Sequence, residues 1–218
     1  MDEETLKAIA NQLRQPSGEY AIEVAKKMNE GNRQINLHTI EALQLAAGDN
    51  ILEIGMGNGF FVKDILSIDD TIKYSGCDFS QAMVDEASRH NKDFIETRRA
   101  QFYFASATRL PFEEETFNKV FSVNTLYFWD NPKLILTEIS RVLKPEGLIV
   151  ISIRPKVIMQ DYPFVKFGFE MYEKEQLMDL LTQNNFKVTS AIEKEEPNQE
   201  IDGQMMKVAT LIVCAEKK

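Results

Sequence analysis

Apolar residues recur at helical spacing over the first 47 residues, in Leu6-Ile9-Ala10-Leu13 and again in Ile22-Ala25-Met28. Gln15-Pro16-Ser17-Gly18 separates the two segments and Gly31-Asn32 interrupts the chain again. A third helix is predicted over 36–46. From residue 50 the pattern changes to short apolar runs alternating with helical stretches. It predicts strands at 51–54, 72–77, 101–105, 119–123 and 147–153. Helices are predicted at 60–66 and at 80–90, where the Ser80 hydroxyl is a credible N-cap. Leu134, Ile135, Ile139 and Val142 share the face of a further helix, which should end in a turn at Lys144-Pro145-Glu146-Gly147. After a helix at 174–183, two strands at 186–192 and 205–215 follow with no helix between them, so they should pair antiparallel. Strands alternating with helices imply right-handed crossovers and a doubly wound α/β fold. Its sheet is seven-stranded, mostly parallel, and closed by an antiparallel C-terminal strand. Residues 1–49 are read as an N-terminal helical cap and 50–218 as the ligand-binding domain.

With 218 residues, 44% hydrophobic and 27% charged, the chain suits one globular domain. Asp and Glu number 34 against 25 Lys and Arg, giving a net charge of −9, and that field repels a polyanion. Arg98-Arg99 and Arg154 with Lys156 are too short to track a phosphate backbone, so no nucleic-acid partner is expected. Cys77 and Cys214 cannot build a disulfide framework or a cysteine zinc site and read as buried free thiols. No metal site is expected. The acidic start Met1-Asp2-Glu3-Glu4 is unlike a signal peptide, and no apolar run reaches membrane-spanning length. The expectation is a cytoplasmic protein without a membrane partner.

Ligands of open parallel sheets bind at the carboxyl ends of the strands. The loop after the first strand, Glu53-Ile54-Gly55-Met56-Gly57-Asn58-Gly59-Phe60, has glycines at alternate positions, which let a ligand lie directly against the backbone. A dinucleotide fingerprint would require glycine where Phe60 stands, and a P-loop would end in Gly-Lys-Ser/Thr. Neither pattern is present.

This loop resembles the first motif of class I S-adenosylmethionine-dependent methyltransferases, of the type 11-like, small-molecule group. Gly76-Cys77-Asp78-Phe79-Ser80 resembles the end of that family's second strand. Leu110-Pro111-Phe112 with Phe117-Asn118-Lys119-Val120 resembles the approach to its fourth. The stretch from Glu138 to Gly147 resembles the helix and turn before its fifth. The resemblance implies a Rossmann-like fold, S-adenosylmethionine as cofactor and S-adenosylhomocysteine as product. It also implies a cofactor site built from Glu53, Gly55, Met56, Gly57, Gly59, Asp78, Phe79, Met83, Ser106, Ala107 and Asn124. In that site Asp78 accepts the ribose hydroxyls, unless it is only a turn or cap aspartate, and Phe79 and Met83 wall the adenine. Glu53 either holds the glycine loop or approaches the cofactor's ammonium group. Ser106 and Asn118 stand where the family usually has acidic residues, so each departure puts cofactor affinity in question.

The acceptor implied is a small molecule, methylated by direct in-line transfer, which needs alignment more than a catalytic triad. Tyr127 and His38 are the candidate catalytic residues. Asn124 and Tyr127 match the outer positions of the Asn-Pro-Pro-Tyr motif of amino-group methyltransferases, but without its prolines. Trp129 reads as packing. Tyr20 belongs to the helical cover, and the aromatic stretch 162–169 is either an acceptor pocket or core. A catalytically silent cofactor-binding relative, and an enzyme acting on protein or nucleic acid, are the alternatives.

Overall fold

A computed structural model of the chain describes residues 1–201 and 203–218. Its N-terminal part forms α1 (Glu3–Arg14), α2 (Ala21–Gly31) and α3 (Arg33–Leu43). Asp2 caps α1, its carboxylate accepting from the Thr5 N–H at 2.8 Å. The break expected at Gly31-Asn32 is only a joint. The Asn32 N–H donates to the Met28 carbonyl and the Asn36 N–H to the Asn32 carbonyl, so α2 runs nearly into α3. For that reason α3 begins before the predicted residue 36.

The alternating part follows as β1 (Asn50–Ile54), α4 (Val62–Leu66), β2 (Lys73–Asp78), α5 (Gln81–His90), α6 (Lys92–Glu96) and β3 (Ala100–Phe104). Next come β4 (Phe117–Val123), a 3-10 turn (Leu126–Phe128), α7 (Pro132–Val142), β5 (Leu143–Ile153) and α8 (Lys156–Met159). The chain closes with α9 (Lys174–Gln183), β6 (Phe186–Ile201) and β7 (Gln204–Lys217). The seven strands form one sheet in the order β3-β2-β1-β4-β5-β7-β6. The first five are parallel, and β7 pairs antiparallel with both β5 and β6. Strand order reverses beside β1, which lies between β2 and β4.

Alternate side chains along each strand feed two cores, as a sheet covered on both faces requires. Leu52, Val120, Ile149, Ile151 and Leu211 pack with α7 and α9 residues such as Ile139 and Leu177. Ile51, Phe121, Val150 and Ile212 pack on the other face with Val62, Val84 and two residues of α3, Ile35 and Leu43. Thus α3 contributes fully buried side chains to the main core and does more than cover a ligand site.

Several boundaries move for identifiable reasons. Phe60 and Phe61 lie in a turn, so α4 starts after them. The expected turn at 144–147 is instead an irregular stretch within β5. Phe117 pairs with Leu143 and Lys119 with Leu148, and a register shift between them absorbs the extra residues. β6 and β7 run well beyond the predicted strands, because their outer halves pair with each other and lean on α2 and α3. Lys194 bridges to Glu41 at 2.6 Å, and Gln199 donates to the Gly31 carbonyl at 2.9 Å. Among the described residues, no helix is long and apolar enough to cross a membrane.

Candidate active site

A cavity of about 410 Å³ opens at the carboxyl ends of β1, β2 and β4, where strand order reverses. Its floor is the glycine loop. Gly55, Gly57 and Gly59 all have positive φ (+73°, +56° and +65°), which no ordinary side chain adopts without strain. A Cβ on Gly57 would meet nothing within 4 Å, whereas one on Gly55 would stand 2.3 Å from Thr125 Cγ2. The loop therefore leaves open space at Gly57 and packs closely at Gly55.

Asp78 ends β2 and is buried beside this loop. Its Oδ2 accepts from the Gly57 N–H at 3.0 Å and its Oδ1 from the Ser80 N–H at 2.8 Å. Burial raises its pKa above the ordinary aspartate value, and the backbone N–H groups oppose that rise. Ser80, not Asp78, caps α5, through a 3.3 Å bond from the Met83 N–H.

Among the described residues the Glu53 side chain makes no hydrogen bond to the glycine loop. Its Oε2 accepts from the Tyr74 hydroxyl at 2.5 Å. Complete burial pushes its pKa up to about 7, against the lowering effect of that bond, and the nearby Asp78 raises it further. Cys77, also on the cavity wall, has its thiol pushed up to about 12 by burial.

Among the residues expected in a cofactor site, Glu53, Gly55, Met56, Gly57, Asp78, Phe79, Met83, Ser106, Ala107 and Asn124 line the cavity. Gly59 does not. It packs against α5, where a Cβ would come within 2.9 Å of Ala87 and Asn91. Ser106 faces the cavity with its hydroxyl 2.8 Å from that of Thr108. Asn118 lies at the opposite end of the sheet, where its Oδ1 accepts from the Asn50 N–H at 3.0 Å. Its departure from the family pattern therefore touches β1 and not the cavity.

Tyr127 is buried outside the cavity. Its hydroxyl lies 3.0 Å from Asn124 Oδ1 and accepts from the Arg154 N–H at 2.5 Å. Burial raises its pKa well above the ordinary tyrosine value. His38 also lies outside the cavity, with Nδ1 buried and without a partner among the described residues. Burial lowers its pKa, with Lys194 adding to the effect. Tyr20 is exposed and no residue of 162–169 lines the cavity. Tyr162, Phe164, Val165 and Phe169 of that stretch belong to the core: Phe169 meets Phe128 edge-on at 4.6 Å, and Tyr162 lies tilted against Phe164 at 5.5 Å. Trp129 serves both, being buried in the core and bordering the cavity.

The sequence reading missed the cavity's upper wall. Met28, Asn29, Asn32 and Asn36 of the α2–α3 unit line it, as do Asn58, Arg14 and Asp130. The helix spacing of Asn29, Asn32 and Asn36, on the face that carries Ala25 and Met28, was the available signal. Asn124 Nδ2 donates to Asn32 Oδ1 at 3.0 Å and joins this wall to the end of β4. The mouth is strapped by three further contacts. Arg14 binds Asp130 through both carboxylate oxygens, at 3.0 and 2.8 Å. Gln15 donates to the Phe79 carbonyl at 2.8 Å, and the Ser80 hydroxyl to the Pro16 carbonyl at 2.5 Å.

The chain matches known proteins in agreement with this geometry. A family profile described as "Methyltransferase domain" matches residues 52–151. An uncharacterized methyltransferase, YdaC, of Bacillus subtilis is 30% identical over 125 residues, 57% of this chain and 67% of the relative. A demethylmenaquinone methyltransferase of Clavibacter sepedonicus is 29% identical over 161 residues, 72% of this chain and 62% of the relative. The chain spans about two thirds of the length of the curated relatives it matches first. The crystal structure of a SAM-dependent methyltransferase from Aquifex aeolicus superposes with a TM-score of 0.71 at 18% identity. The superposition covers 89% of this chain and 97% of that one, a likeness of fold. Sheet order, glycine loop and sequence relatives agree, and the chain belongs to the class I S-adenosylmethionine-dependent methyltransferases.

Proposed function

We propose that this protein methylates a small molecule, with S-adenosylmethionine held across the ends of β1, β2 and β4. The observation that carries the reading is Asp78, a buried carboxylate at the end of β2 that borders the cavity and is tied to the glycine loop. When bound, the cofactor supplies a methyl group on a sulfonium sulphur, which bonds to the acceptor atom as the carbon–sulphur electron pair returns to sulphur. The residues present suit that group. The cavity is within the usual size of cofactor sites, and the space beside Gly57 admits close approach. Asn58 also borders it, and its side chain makes no hydrogen bond to any described residue.

In this reading Asp78 accepts the ribose hydroxyls, and Gly55, Met56 and Gly57 present backbone to the ligand. Phe79, Met83, Ser106 and Ala107 enclose the adenine. Glu53 and Asn124 stand at the methionine end. Residues 1–49 are the cover, with α3 rooted in the core. Tyr127 positions Asn124, and neither Tyr127 nor His38 serves as a base, since neither borders the cavity. A small acceptor is supported by the strapped mouth and by the demethylmenaquinone relative, whose name states such a substrate. Two buried free thiols suit a reducing compartment such as the cytoplasm.

Calorimetric titration with S-adenosylmethionine and S-adenosylhomocysteine tests the cofactor reading. Micromolar binding of both is expected, and absence of binding overturns it. Transfer of labelled methyl to a small-molecule extract, and none to protein or nucleic acid, is expected to follow.

A further inference from the structure

The α2–α3 unit turns one stripe toward the cavity, made of Ala25, Met28, Asn29, Asn32 and Asn36. Its Ala25 end packs with Met83. Its amide end meets Asn124 at the end of β4. Asn36 is only 7% exposed, and its Nδ2 donates to the Asn32 carbonyl at 2.8 Å. Its Oδ1 accepts nothing from any described residue. That oxygen is not sealed off by protein, so it stays open to a donor within the cavity that Asn36 lines. The Asn29 side chain likewise makes no hydrogen bond among the described residues.

The charged residues on the cavity wall are all engaged. Arg14 is held by Asp130, Glu53 takes the Tyr74 hydroxyl, and Asp78 takes two backbone N–H groups. Glu53 and Asp78 belong to the proposed cofactor end, and at the end left for the acceptor Arg14 and Asp130 offset each other. An ionic acceptor would find no free counter-ion there, and an unpaired charge is costly to bury. Uncommitted amides beside Met28, Trp129 and Ile135 offer the opposite environment.

We infer that the methyl acceptor is an uncharged molecule, apolar over most of its surface, with a hydroxyl or carbonyl group recognised by Asn29 and Asn36. The inference rests on the proposed cofactor site, which leaves this end of the cavity for the acceptor.

The test uses protein saturated with S-adenosylhomocysteine and three probes that share a phenol ring: p-cresol, 4-hydroxybenzoate and tyramine. At pH 7 they are neutral, anionic and cationic. Binding is followed by protein-observed NMR titration. The neutral p-cresol is expected to bind at least about fivefold more tightly than either charged probe. Asn29→Leu and Asn36→Leu should each weaken p-cresol by about fivefold, the scale of one lost hydrogen bond, while S-adenosylhomocysteine affinity stays within about twofold. Asn29 is half-exposed in the last turn of α2, so its variant separates recognition from folding should the Asn36 variant fold poorly. Preference for a charged probe, equal binding of all three, no binding of p-cresol, or indifference to both variants overturns the inference. Protein that takes no S-adenosylhomocysteine loses the cofactor reading and this inference with it. Protein that takes it and prefers a charged probe loses the inference alone.

Discussion

The Gly57 N–H donates to Asp78 Oδ2 at 3.0 Å and couples the loop after β1 to the end of β2. One carboxylate thus holds the glycine loop in shape and borders the space that loop encloses. Asp78→Ala is expected to weaken S-adenosylhomocysteine by roughly 1.5–3 kcal/mol, the scale of a hydrogen bond to a charged group. It should also lower the melting temperature of the ligand-free protein, because the Gly57 and Ser80 N–H groups lose their acceptor. Calorimetry and thermal melts separate the two effects. Unchanged affinity in a folded variant would remove Asp78 from the ribose site.

The glycines of the loop should respond differently to alanine. Both Gly55 and Gly57 have positive φ, so each substitution costs about 1–2 kcal/mol in backbone strain. At Gly55 the new methyl also overlaps Thr125, adding about 1–3 kcal/mol for overpacking. Gly55→Ala should therefore be the less stable variant in urea unfolding. Gly57→Ala should stay near the strain cost alone and show its main loss in cofactor affinity. The reverse ranking would contradict the loop geometry.

Glu53 makes stability depend on pH. Its folded pKa of about 7 lies above its ordinary value of 4.5, so the folded chain binds the proton more strongly than the unfolded chain does. The stabilisation is complete below about 4.5 and is lost as pH rises through about 7, by roughly 3 kcal/mol in total. Asp78, raised by burial, acts in the same direction. Urea unfolding at several pH values between 4.5 and 8 should show this decline, and Glu53→Gln should flatten it in part. An equally steep profile in the variant would exclude Glu53 as its source.

Behind the cavity, Arg154 and Glu196 form a buried ion pair. Arg154 also donates to the Gly31 carbonyl at 3.0 Å and to Thr210 Oγ1 at 3.1 Å, fastening α2 to the β6–β7 hairpin. Glu196→Ala leaves the guanidinium buried without its partner and should cost about 3–5 kcal/mol. Replacing both residues, Arg154→Met with Glu196→Leu, should cost less than the single change. Denaturant midpoints decide this, and additive losses would argue against a coupled pair.

Local pattern sufficed for the strands of the sheet's centre and for the glycine loop. Ile51, Leu52 and Ile54 are a short apolar run closed by glycine, and such a run is a buried strand wherever it folds. The irregular stretch in β5 was not legible, because Pro145 and Gly147 favour a turn locally and only pairing with β4 holds them in the sheet. The outer halves of β6 and β7 were missed for a related reason. Their charged residues show no two-residue alternation, and their partners lie on α2 and α3, far away in sequence.

The sequence by itself determined the α/β order, the antiparallel end of the sheet and the identity of the loop, since each depends on neighbours within about ten positions. Only the tertiary structure decided which side chains share the cavity. It sent Asn118 to the far end of the sheet, turned Gly59 against α5, and set Tyr127 behind Asn124. It also brought Asn29, Asn32 and Asn36 over the strand ends. The physical reason is that a helix pattern tells which residues share a face but not what that face meets, and the packing of Ile35 and Leu43 into the core sets where this one points.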